Sequence, residues 1–298
     1  MYDLIIVGAG PAGLTCALYA LRANKKVLVL EAKSYGGQII NAHKIENYPG
    51  ISSISGFEYA TNLYNQVKNF GMEIRYETVI RIDEEKNVTT NKDTYKAKAI
   101  VLATGAENRK LKIENEESYV GRGVSYCATC DGNFYKDKVV AVVGGGNTAI
   151  EDALYLSNIA SKVYIIHRRD IFKSEDIYLE ELNKKDNVEF ILNSNVTKLN
   201  GDNVLESIDV KDIDNNVVTL DVAGLFIAVG QEPKNGIFAN VINLDKNGYI
   251  ESSDGVHTNV DGIYVAGDAR VKTLRQLTTA VGDGSIAATT AMIEMKKL

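Results

Sequence analysis

Cys127 and Cys130, in the stretch Cys127-Ala128-Thr129-Cys130-Asp131-Gly132, are spaced to close a small disulfide ring and to exchange electrons two at a time. The chain has three cysteines, and the third, Cys16, stands alone on a helical stretch. A lone small apolar thiol there reads as a core residue rather than a reactive one. A zinc ribbon would need a second pair of ligands, and His43 has no histidine or cysteine at ligand spacing around it, so no metal is expected. The pair therefore reads as a redox motif.

Such a pair needs an electron supply, and the segments around it read as one. Leu4 to Val7 are continuously apolar, as in a parallel strand covered on both faces. Gly8-Ala9-Gly10-Pro11-Ala12-Gly13 follows, and then helical spacing from Leu14 to Arg22. In such a turn the first glycine bends the chain, the second lets backbone approach a pyrophosphate, and the third lets helix pack on strand. The second strand, Lys26 to Leu30, ends in Glu31, where an acid holds a ribose hydroxyl.

A second unit of this kind begins just after the cysteines. The strand from Lys138 to Val143 runs into Gly144-Gly145-Gly146-Asn147-Thr148-Ala149, and the strand from Val163 to Ile166 ends in His167-Arg168-Arg169, with Lys173 one turn on. Two arginines and a lysine suit a 2′-phosphate, where Glu31 suits a free ribose hydroxyl. One dinucleotide site without the extra phosphate and one with it imply FAD and NADPH.

The rest of the chain fits an α/β enzyme with two Rossmann-like dinucleotide-binding domains. Its 298 residues suffice for two cores. With 33 basic and 39 acidic residues the net charge is −6, which offers no overall basic field for nucleic acid or anionic lipid. No apolar run approaches a membrane span. Met1-Tyr2-Asp3 leads directly into a strand without a charged leader, which argues against secretion, and the sparse cysteines suit a reducing cytoplasm.

Residues from Gly56 to Phe70 read as an amphipathic helix. Alternation from Glu73 to Lys98, and again from Val188 to Leu225, predicts antiparallel strands. Ala99 to Leu102 reads as a strand entering Ala103-Thr104-Gly105. A late strand delivers Gly267-Asp268 to a sheet's C-terminal edge, where ligands of open sheets bind. A last helix follows Arg275, from about Gln276 to Lys296.

These motifs, in this order along the whole chain, resemble the low-molecular-weight thioredoxin reductases. The likeness includes Gly36-Gly37-Gln38, Asn47-Tyr48-Pro49-Gly50, Gly121 to Tyr126 leading into the cysteine motif, Ala266-Gly267-Asp268 and Arg275-Gln276. The resemblance implies a discontinuous FAD domain, residues 1–109 with 237–298, and an inserted NADPH domain, residues 110–236, that carries the dithiol. Asp268 would face the flavin's phosphate-ribityl region, and Gln38, Asn47 and Gln276 the isoalloxazine or its linker, with Gly37, Arg275 and Leu277 beside them. Cys130 would face the flavin, Cys127 would attack the substrate disulfide, and Asp131 would donate the proton. That last role is chemically apt, because an ionised carboxyl group is a poor stabiliser of a thiolate, whereas a protonated one can give its proton to a leaving thiolate.

The resemblance further implies thioredoxin or a thioredoxin-like protein as partner, a homodimer, and a central domain that rotates about paired connections near Asn108-Arg109 and Lys234-Asn235-Gly236. Two departures stand out. Lys173 replaces an arginine common in the family, and Asn133-Phe134 stands where relatives often carry two aromatics. The rival enzymes are a flavin-dependent dithiol oxidase and a ferredoxin-dependent reductase, neither of which needs the Arg168, Arg169 and Lys173 cluster. A non-enzymatic flavin-binding redox sensor leaves two complete nucleotide sites without a purpose.

Overall fold

The computed structural model describes residues 1–42, 44–174, 176–252 and 255–296; His43 lies outside them. The chain forms two compact units, Met1–Glu107 with Glu232–Leu298, and Asn108–Gln231. The second crossing precedes Lys234-Asn235-Gly236, and the reason is visible at Asn235. Its fully buried side chain donates to the carbonyls of Gly248 and Ala269, both at 3.0 Å, and accepts from the Thr104 hydroxyl at 2.8 Å. That polar residue is a core clamp of the first unit, with no surface connector role.

The first unit is built on a seven-stranded sheet. Its centre is the strand Tyr2–Val7, flanked in parallel by Val27–Glu31 and by Thr94–Leu102. Leu4, Ile5 and Ile6 are fully buried, as expected of a strand covered on both faces. The strand Thr94–Leu102 is continuous and changes partners along its length. Its first residues pair antiparallel with Asn87–Thr90, and its end pairs in parallel with Ile263–Val265. The expected antiparallel run from Glu73 is corrected at its start, because Glu73–Tyr76 adds to Val27–Glu31 in parallel. Period-2 alternation marks a half-buried strand and says nothing of its direction, which the intervening helix Gly56–Lys68 sets as a crossover. That helix starts at a Ser55 cap, whose hydroxyl accepts the Glu58 amide at 3.1 Å.

The helices Pro11–Arg22 and Leu277–Glu294 cover one face. They approach so closely that a Cβ on Gly284 would sit 2.2 Å from the Ala12 carbonyl oxygen. The small-residue face noted in the sequence thus brings the last helix against the helix of the first glycine turn.

The second unit has a five-stranded parallel sheet, ordered Val188–Ile191, Lys162–Ile166, Val139–Gly144, Gly224–Ala228, Val124–Ser125. Here too the first strand of an expected antiparallel run, Val188–Ile191, joins the parallel sheet. The meander itself is Ser194–Asn200, Ser207–Asp212 and Val217–Asp221, with Asn215 left-handed (φ 69°) at its last turn. The helix Asn147–Ser157 packs on the parallel sheet, and a short helix, Asp176–Leu182, lies against it.

Candidate active site

The dithiol is a disulfide in this structure, Cys127 to Cys130, with the two Cα atoms 5.3 Å apart. Cys127 stands at the head of a single helical turn, Ala128–Asp131, and the Cys130 and Asp131 amides both point back to its carbonyl. The turn is anchored on both sides. Ahead of it, the Tyr126 hydroxyl donates at 2.6 Å to Glu116, a buried carboxylate that also accepts the Leu111 and Lys112 amides. Behind it, a Cβ on Gly132 would lie 2.8 Å from the Tyr155 ring, so glycine lets the turn settle onto the helix Asn147–Ser157. Tyr135 then packs edge-on against Phe226, 5.2 Å between centroids, over a space that Gly224 leaves open.

Ser125 organises the acid. Its hydroxyl donates to Asp131 Oδ2 at 2.6 Å and accepts the Cys127 amide at 3.1 Å. The sequence flanking the cysteines contains Ser125, but nothing in its type or spacing distinguishes it from an ordinary strand-end serine. Cys16 is fully buried, and burial pushes its thiol pKa up, so it is an inert core residue.

The second glycine turn lies in the same unit. Gly144 cannot carry a side chain: a Cβ would meet the Ala228 carbonyl oxygen at 2.4 Å. Nothing lies within 4 Å of a Cβ built at Gly146, which opens the approach to the helix that begins at Asn147 and Thr148. That N-terminus has no side-chain cap, and a helix N-terminus favours an anion. The Lys173 amide donates to the Gly145 carbonyl at 2.7 Å, and the backbone bridge of Gly146 with Lys173 holds that lysine beside the turn. Arg168 and Arg169 are exposed at the end of the neighbouring strand.

His167 does something different. Its ring fills the space over Gly145, where a Cβ would come within 2.0 Å of it, stacks on Phe172 and donates from Nε2 to the Ile171 carbonyl. Burial, joined by the neighbouring Arg168 and Arg169, holds its pKa below the usual imidazole range. It is a neutral wedge that shapes the turn.

In the first unit, a Cβ on Gly8 (φ 107°) would strike the Ala103 carbonyl oxygen at 2.3 Å. The strand Thr94–Leu102 and its Ala103-Thr104-Gly105 exit therefore seat the first glycine turn. Glu31 lies beneath it, accepting the Ala9 amide at 2.8 Å and the Lys33 amide at 2.8 Å. Gly10 and Gly37 face each other closely, so that a Cβ on Gly37 would lie 3.1 Å from the Gly10 Cα. Gly13 admits the Gly8 carbonyl, and Pro11 and Ala12 open a helix without a side-chain cap. Gln38 donates to the Ala106 carbonyl at 2.7 Å, and Asn47 to the Gln276 side chain at 3.1 Å.

Asp268 follows the left-handed Gly267. Its Oδ1 is buried 3.5 Å from the Lys272 ammonium without a shorter hydrogen bond among the described residues, and burial raises its carboxyl pKa against the pull of Lys272 and Arg275. A dinucleotide hydroxyl would satisfy that oxygen, and the open space at Gly105 and the uncapped helix start complete a cradle of the right chemistry for FAD. The Arg275 guanidinium lies 4.0 Å over the Tyr249 ring, and Leu277 is buried at the start of the last helix. Sequence reading missed the group under this turn. Asp283 accepts the Gly267 amide at 3.0 Å, Arg270 through two nitrogens at 2.9 and 3.0 Å, and Lys272 at 3.1 Å. Among the described residues, no cluster of histidine, cysteine and acidic side chains could hold a metal.

Residues 2–284 match the family described as Pyridine nucleotide-disulphide oxidoreductase. A thioredoxin reductase of Listeria monocytogenes is 44% identical, the match covering 100% of this chain and 95% of that protein. One of Mycoplasma genitalium is 42% identical over 96% of this chain and 93% of its own length. The crystal structure of thioredoxin reductase from Streptococcus pyogenes superposes with a TM-score of 0.94 at 40% identity, covering 100% of this chain and 99% of that one. Likeness at this level, over the full length, means that the chain belongs to the pyridine nucleotide-disulphide oxidoreductases, among the thioredoxin reductases.

Proposed function

We infer that the protein is an NADPH-dependent thioredoxin-disulfide reductase with FAD as its bound cofactor. The observation that carries this is the Cys127–Cys130 disulfide, held with Asp131 on a single turn in the unit that also bears the second glycine turn and its arginines. Family membership and the names of the relatives support the same activity. FAD supplies two-electron transfer from NADPH to the disulfide.

In the first unit Gly8, Gly10, Pro11, Ala12 and Gly13 receive the pyrophosphate and Glu31 the ribose, with Asp268 on the ribityl side. Gly37, Gln38, Asn47, Ala103, Thr104, Gly105, Gly267, Arg275, Gln276 and Leu277 complete the FAD wall. In the second unit Gly144, Gly145, Gly146, Asn147 and Thr148 take the NADPH pyrophosphate. Arg168, Arg169 and Lys173 take its 2′-phosphate, and His167 shapes the turn.

Two electrons and two protons convert the Cys127–Cys130 disulfide to a dithiol. The Cys127 thiolate then attacks a sulfur of the partner's disulfide, and the partner's leaving thiolate takes a proton from Asp131. Cys130 gives up its proton and attacks the Cys127 sulfur of the mixed disulfide, displacing the partner's sulfur, which takes that proton; this restores the ring and releases the partner as a dithiol. The two crossings of the chain, at Glu107–Asn108 and Gln231–Glu232, are where the second unit would turn between flavin reduction and disulfide reduction. The active species is a homodimer that works in the cytoplasm. Among the described residues, no helix is long and apolar enough to cross a membrane.

Anaerobic titration with NADPH and, separately, with NADH tests the assignment. Stoichiometric bleaching of the flavin by NADPH, with far weaker bleaching by NADH, followed by reduction of added thioredoxin, is the expected sequence. A flavin that NADPH leaves oxidised contradicts it.

A further inference from the structure

The Thr129 hydroxyl oxygen lies 3.4 Å from Cys127 Sγ, two residues along the same turn. In the disulfide that sulfur carries no hydrogen, so the hydroxyl is the donor. Thr129 is exposed and Cys127 half-buried, so the contact lies where solvent reaches the sulfur. The elements packed most closely on the turn are the short helix Gly132–Tyr135 and the helix Asn147–Ser157, and neither carries a base. Their titratable groups are Tyr135, Glu151, Asp152 and Tyr155, joined by Cys130 and Asp131 on the turn itself and by Tyr126 with its partner Glu116 ahead of it. Each of these acids, when ionised, disfavours a neighbouring thiolate. The Ser125 hydroxyl is committed to Asp131. A neutral donor at the sulfur is therefore the interaction that can favour the charged form of Cys127.

We propose that Thr129 is a catalytic residue of disulfide reduction: its hydroxyl donates to Cys127 Sγ and stabilises the thiolate that attacks the partner's disulfide. This rests on Cys127 being the attacking sulfur, as described above.

In the oxidised ring the hydroxyl meets a neutral sulfur, and the bond is weak. Two electrons and two protons open the ring, Cys127 loses its proton to water, and the same contact becomes a charge-assisted hydrogen bond, which is stronger. The interaction thus grows as the nucleophile forms. When Cys127 bonds to the partner's sulfur, its charge passes to the leaving sulfur, which takes the proton of Asp131, and the contact at Cys127 weakens again. Thr129 gives up no proton at any stage. Its role is separate from that of Asp131: the hydroxyl serves the attacking sulfur, and the acid serves the leaving one.

The test is alkylation of the reduced pair. The purified flavoprotein is reduced anaerobically with dithiothreitol, desalted, and treated with iodoacetamide across the pH range. Fragment mass spectra locate the label, and the initial rate at Cys127 is followed. Thr129→Val keeps the shape of the side chain and removes the donor. It should react about three- to tenfold more slowly than the wild type near neutral pH and at least as fast in alkali, where Cys127 is ionised in both proteins. Thr129→Ala should behave as Thr129→Val does, and Thr129→Ser, which keeps the hydroxyl, should retain the wild-type profile. A Thr129→Val profile that superimposes on the wild type, or is displaced by one constant factor at every pH, overturns the proposal. So does a Thr129→Ser profile that follows Thr129→Val. Alkylation reports on the thiol whatever the acceptor protein is. A failure here is therefore separable from a failure to reduce thioredoxin.

Discussion

The Ser125 hydroxyl lies 2.6 Å from Asp131 Oδ2 and donates its proton to it, while its oxygen accepts the Cys127 amide. One small side chain thus fixes both the attacking cysteine's backbone and the acid that serves it. Ser125→Ala should lower thioredoxin turnover about tenfold, the scale of one lost hydrogen bond to a charged group. Flavin reduction by NADPH, followed by stopped-flow absorbance, should be unchanged. A slower flavin reduction with normal thioredoxin turnover would place Ser125 in the wrong half-reaction.

Arg168 and Arg169 present their guanidinium groups to solvent at the end of a parallel strand. Charge-assisted contacts to a phosphate contribute about 1–3 kcal/mol. Replacing both with alanine should cut kcat/KM for NADPH about five- to hundredfold and leave that for NADH nearly unchanged. Equal losses for the two nucleotides would remove the 2′-phosphate assignment.

Asp283 gathers Arg270, Lys272 and the Gly267 amide beneath the Asp268 turn. Burial pushes its carboxyl up, but Arg270 and Lys272 outweigh burial and leave it below the ordinary range. Its contribution to stability is therefore present above the ordinary carboxylate pKa, near ~4, and is lost as pH falls through the lower folded value. Asp283→Ala takes the shared carboxylate from the half-buried Arg270 and Lys272, leaving Lys272 only Asp268 at 3.5 Å, and should cost about 2–4 kcal/mol at neutral pH. Denaturant titration measures that loss, and FAD released on ultrafiltration reports the loosened turn. The gap between variant and wild type should narrow in acid.

Much of this was legible in the residues because close approach leaves a compositional trace. Gly8, Gly13 and Gly144 are glycines where a Cβ would strike a carbonyl, and the apolar runs around them are buried strands. What the sequence concealed was partnership across long separations. Asp283 reaches back to Gly267 and Asn235 to Thr104, and neither has a spacing that marks it. Strand direction was concealed for a related reason. Glu73–Tyr76 and Val188–Ile191 pair in parallel because of the helices before them, and alternation carries no sign of that. His167 adds a contact that the motif does not announce: beside two arginines that suit a phosphate, its ring packs over Gly145 and on Phe172.

The electron path through Cys127 and Cys130 is most directly tested by single serine variants, reduced anaerobically with NADPH and then offered oxidised thioredoxin. Cys127→Ser and Cys130→Ser should each remain yellow and folded, with flavin that NADPH still bleaches, because that transfer precedes the cysteines. Both should fail to reduce thioredoxin, and Cys130→Ser should trap a mixed disulfide through the remaining Cys127. Substantial thioredoxin turnover by either variant would contradict the path.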